Sequence, residues 1–148
     1  MTEVLIATDS AAIYAELAAV VDGPGTTVRW VRTGHEVRTS IDARPVDLAI
    51  LDNQIGAMGG IAAALDLRLE ADAGRLEPCK VLLVLDRRPD VFLARRSGVD
   101  GWLLKPLDPM RVRRAVRTIL AGGAWHDDTY QPVPVAVPFG DDDVDRPA

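Results

Sequence analysis

The sequence predicts an α/β fold: a three-layer sandwich with a five-stranded parallel sheet in the order 2-1-3-4-5 and five helices. Three observations predict it. Short, continuous apolar runs recur at residues 4–7, 48–51 and 81–85, as expected of strands buried on both faces. Segments with helical apolar spacing alternate with them, which requires crossover connections and a sheet covered on each side. Several runs stop at a charged residue. A charge is costly inside such a strand, so it marks the strand's carboxyl end.

The first strand, residues 4–7, is followed by Thr8, Asp9 and Ser10, all helix-capping types. Ile13, Leu17, Val20 and Val21 then line one face of a helix, which Asp22-Gly23-Pro24-Gly25 stops. Residues 26–31 are β-rich and contain Trp30; Thr33 and Gly34 turn the chain into a short helix ending near Ala43, before Pro45. The third strand ends at Asp52, and a polar, glycine-bearing loop follows it. Gly59 and Gly60 open the next helix, with Ile61, Leu65 and Leu69 expected on its buried side and Arg68 and Glu70 outward.

The fourth strand, residues 81–85, ends at Asp86. A short helix over 90–97 closes at Gly98, a C-terminal glycine signal. The last strand, 101–104, ends at Lys105-Pro106. Asp108 and Pro109 then start a helix with Val112, Val116, Ile119 and Leu120 as its apolar stripe and Arg111, Arg113, Arg114 and Arg117 elsewhere. This is a flavodoxin-like alternation. It assigns residues 1–123 to one domain and 124–148 to a Pro- and Asp-rich acidic tail without fixed structure.

Composition narrows the function classes. Of 148 residues, 48% are hydrophobic and 26% charged, the balance of an ordinary globular domain. The net charge of −5 resides in the tail: residues 122–148 carry six Asp against Arg146, and the body before them is neutral. A neutral body with an acidic tail predicts no direct nucleic-acid binding. No apolar run is long enough to span a membrane. The lone Cys79 makes no internal disulfide, so a reducing cytoplasm is the expected location.

Three charged residues fall at strand carboxyl ends: Asp9, Asp52 and Lys105. In this strand order the first and third strands flank the switch point, where ligands bind. Asp9 and Asp52 are therefore expected to face one another across a crevice, with Lys105 reaching in. Paired carboxylates call for a cation, and a hard one such as Mg²⁺ prefers oxygen. A carboxylate beside Mg²⁺ and an ammonium suits attack on a phosphoryl group.

With Met58 and Gly60 in the loop after Asp52, and with the stretch Gly98-Val99-Asp100-Gly101-Trp102-Leu103-Leu104-Lys105-Pro106, the chain resembles the chemotaxis-type receiver domains of bacterial two-component response regulators. The resemblance covers about residues 3–121. It implies Asp52 as phosphoacceptor, Asp9 and Asp52 as Mg²⁺ ligands with the backbone carbonyl of Gln54, Lys105 as the partner ammonium, Trp102 as the aromatic switch and a cis peptide before Pro106. It also implies a histidine kinase or phosphotransfer protein as donor, a downstream protein partner and a homodimer through the last helix.

The chain departs from the family pattern at three places. Thr8 replaces the first of two consecutive acids, which predicts weakened Mg²⁺ binding. Leu85, or Asp86 in the neighbouring register, stands where receivers place a phosphate-binding Thr or Ser; the former cannot donate and the latter repels a dianion. Gly56 replaces a proline. Two functions follow: a stand-alone receiver phosphorylated on Asp52, or a phosphorylation-independent pseudo-receiver used as a docking module. A flavodoxin-like enzyme or cofactor binder is the third class. Against it stand Gln54 in place of a second catalytic acid and Thr8-Asp9-Ser10 in place of a phosphate-binding loop.

Overall fold

A computed structural model describes residues 1–56 and 58–127. It contains six strands and five helices: β1 Thr2–Ala7, α1 Ala11–Val21, β2 Thr26–Val31, α2 Gly34–Ala43, β3 Leu48–Asp52, α3 Gly60–Asp72, β4 Lys80–Leu85, α4 Pro89–Arg96, β5 Gly101–Leu104, α5 Pro109–Leu120 and β6 Trp125–His126. All neighbouring strands pair in parallel, in the order β2-β1-β3-β4-β5-β6. The expected sheet is present, extended by one strand.

Strand alternation divides the core into two layers. Leu5, Ala7, Ala49, Leu51, Leu83 and Leu85 pack with Val37, Ile41, Ala63, Ala64, Leu67 and Trp102 on the side of α2, α3 and α4. Val4, Ile6, Leu48, Ile50, Leu82 and Val84 pack with Leu17, Val112, Ala115, Val116 and Ile119 of α1 and α5. Three helix starts are fixed by side chains: Ser10 Oγ accepts from Ile13 N–H, Thr33 from Glu36 N–H and Asp108 from Met110 N–H.

The face that α3 buries differs from the expected one. Gly60, Ala63, Ala64 and Leu67 face the sheet, while Leu65 and Leu69 are exposed. Small residues allow the helix close approach: a Cβ on Gly60 would lie 2.9 Å from the Asp52 carbonyl oxygen. The Leu periodicity therefore marked the wrong stripe.

The sixth strand corrects the domain boundary. Gly122, at φ +99°, donates to Ile119 O, and Gly123 N–H reaches Thr118 O, a Schellman ending that reverses the chain. Trp125 then pairs with Gly101 and His126 with Trp102. Gly101 is required here, because a Cβ would lie 2.5 Å from the Trp125 carbonyl oxygen. Asp127 is buried; its carboxylate accepts from Leu104 N–H at 2.8 Å and from Arg111 at 2.7 Å. Residues 124–127, expected in the tail, thus belong to the domain. The rest of that expected tail, 128–148, lies outside the described residues.

Candidate functional site

Asp52 ends β3 at the rim of the sheet and is only 2% exposed. A buried carboxylate requires donors on both oxygens, and the neighbouring elements supply them. Thr8, the residue after β1, donates its hydroxyl to Oδ2 at 2.8 Å. On Oδ1, Gln54 N–H donates at 3.0 Å and Lys105 Nζ at 3.1 Å. Trp30 Nε1 in turn donates to the Thr8 carbonyl at 2.8 Å, tying β2 to the same point.

The loop that follows Asp52 is held at both ends. Asn53 Oδ1 accepts from Ile61 N–H, and Gly34 N–H donates to the Gly56 carbonyl. Gly34 cannot carry a side chain, since its Cβ would overlap Met58. This pins the Asp52 loop to the start of α2 and gives the Gln54 N–H its direction.

Lys105 follows β5, and its N–H bonds the Leu85 carbonyl at 2.9 Å, which places it beside Asp86. Its ammonium lies 3.1 Å from Asp52 Oδ1 and 2.9 Å from Asp86 Oδ1. Burial alone would push its pKa down. Hydrogen bonds to Asp86 and Asp52, with the charges of both, outweigh that and raise it above the ordinary lysine value. The Lys105–Pro106 peptide is cis.

The structure brings together Asp52, Lys105, Asp86 and Thr8, and leaves Asp9 exposed next to Thr8 on the same rim. Asp9 is not the cap of α1; Ser10 is. Gln54 contributes a backbone N–H to the carboxylate. Leu85 is fully buried in the α2–α3–α4 layer, so the polar side chain that follows β4 at the rim is Asp86. Trp102 is 1% exposed: His126 stacks on it with centroids 4.3 Å apart, and Arg95 lies over the ring at 5.1 Å. His126 itself stays exposed, and the sixth strand is what seats it on the ring.

Mg²⁺ takes oxygen ligands, commonly one or two carboxylates plus waters and a phosphate. Asp52 and the exposed Asp9 are the acids that end or follow β3 and β1 at this rim, and Thr8 adds a hydroxyl and no anion. Among the described residues no group of three His, Cys, Asp or Glu gathers as a metal cluster.

A family model for the response regulator receiver domain matches residues 4–117. An uncharacterised response regulatory protein of Mycobacterium tuberculosis is 36% identical over 104 residues, covering 70% of this chain and 74% of that protein. The DNA-binding response regulator MtrA of Mycobacterium leprae is 29% identical over 145 residues, 98% of this chain and 60% of its own length. The signal receiver domain of a histidine kinase from Syntrophus aciditrophicus shares the fold, with a TM-score of 0.73 at 24% identity, covering 92% of this chain and 99% of that domain.

Proposed function

The chain belongs to the response regulator receiver domain family, and on that premise we propose that Asp52 accepts a phosphoryl group from a histidine kinase or phosphotransfer protein. Receiver domains are signalling modules of two-component systems, and Mg²⁺ at the phosphorylation site is typical of them. The observation that carries the proposal is the buried Asp52 carboxylate with the Lys105 ammonium 3.1 Å away.

In the proposed reaction an Asp52 oxygen attacks phosphorus, the O–P bond forms, and the bond from phosphorus to the donor nitrogen breaks, leaving an acyl phosphate. Lys105 offers charge to the phosphoryl oxygens, and the Gln54 N–H holds the carboxylate in line. Asp9, Asp52 and the Gln54 carbonyl would hold Mg²⁺, which neutralises phosphoryl charge when bound. Output through protein contacts is supported by the exposed Phe92 and Leu93 of α4 and Met110 of α5. The exposed Arg113, Arg114 and Arg117 make α5 the proposed face for a homodimer.

Acetyl phosphate with Mg²⁺ tests the reading: one phosphoryl mass is expected on the wild type and none on Asp52→Asn. Identical spectra for the two proteins would overturn it. A second reading, the phosphorylation-independent docking module, is favoured by one observation: Asp86 already neutralises Lys105.

A further inference from the structure

We propose that Asp86 is a tethered competitor for the phosphoryl group: it occupies Lys105 in the resting protein and must be displaced when a tetrahedral anion arrives on Asp52. The inference rests on Asp52 being the acceptor and goes on to name the residue that sets how readily it is used.

The placement is built into the sheet. Leu85 pairs with Leu104 across β4 and β5, and the Lys105 N–H bond to the Leu85 carbonyl carries that pairing one step further. Residues 86 and 105 therefore leave their strands side by side. Asp86 Oδ1 sits 2.9 Å from Nζ, slightly closer than Asp52 Oδ1 at 3.1 Å. One ammonium thus serves two carboxylates.

An incoming phosphoryl group needs that same ammonium, because a dianion beside Asp52 and Asp86 would otherwise face two like charges. Asp86 is 30% exposed by side chain and Lys105 19%, whereas Asp52 is 2%. The solvent-facing carboxylate is the one that can leave without being stranded in the interior. Displacement moves Nζ from Asp86 to the phosphoryl oxygens and returns Asp86 to water; no covalent bond changes in that step.

Beryllofluoride with Mg²⁺, titrated into the full chain and read by tryptophan fluorescence and fluorine NMR, tests this. Asp86→Asn is expected to bind at about tenfold lower beryllofluoride than wild type, since one nearby negative charge is gone. Asp86→Glu, which keeps the charge, is expected to stay near wild type, and Asp52→Asn to bind none. Equal midpoints for wild type and Asp86→Asn would overturn the competition while leaving Asp52 as acceptor. Binding by neither would overturn both.

Discussion

Thr8 shows how much one side chain decides at this site. Its hydroxyl satisfies Asp52 Oδ2 at 2.8 Å, doing without a metal what a neighbouring acid would do only through one. The carboxylate is thereby satisfied in its buried place with no added charge, and the attraction for a dication falls. Replacing Thr8 by Asp reverses the trade: Thr8→Asp is expected to bind Mg²⁺ about tenfold more tightly, from one additional negative charge close to the site. A fluorescence titration with MgCl₂ measures it, with Trp30, bonded to the Thr8 carbonyl, as the natural reporter. Asp52 and Lys105 were legible in the sequence because each ends an apolar run. The direct Thr8–Asp52 bond and the Asp86–Lys105 pair were not, because spacing along the chain says nothing about which rim side chains touch.

The elements show where patterning succeeds and where it stops. Five strands and five helices were readable, since each is long enough to carry an apolar run, a periodic stripe or a cap. β6 has two residues, too few for any period, and its attachment depends on Asp127, whose burial no local pattern announces. The stripe of α3 misled for a related reason: alanines at 63 and 64 bury because the helix sits close, so the larger leucines were not the inward ones. Asp127→Ala removes the acceptor for Leu104 N–H and for Arg111 and is expected to cost about 2 kcal/mol. Urea unfolding measures that loss, and near-ultraviolet circular dichroism should lose intensity as His126 leaves Trp102. Gly101 and Gly122 are the only advance signs of this strand in the sequence, one clearing space for Trp125 and the other turning the chain.

At the scale of the whole molecule, alkaline pH is the sensitive direction. Lys105 is raised above its unfolded value by its two carboxylate partners, net of burial. Burial, with the charge of Asp100 beside it, pushes the Cys79 thiol up to about 11. A raised folded pKa gives stability that is complete below the unfolded value and is lost as pH rises through the folded one. Stability is therefore expected to decline first between pH 9 and 11 through Cys79, and further above 10.5 through Lys105. Cys79→Ala should remove the first decline from a series of melting curves; Lys105→Met should remove the second. At neutral pH the same thiol stays protonated and is expected to react slowly with alkylating reagents. The seam between β5 and β6 carries a different consequence. A parallel sheet ordinarily leaves a flank of unpaired amides open to any passing chain, and here Trp125, His126 and Asp127 close that flank with the molecule's own backbone and one carboxylate. Shortening the chain to residue 123 should turn a covered border into an adhesive one, seen in light scattering as concentration-dependent association beyond that of the full chain.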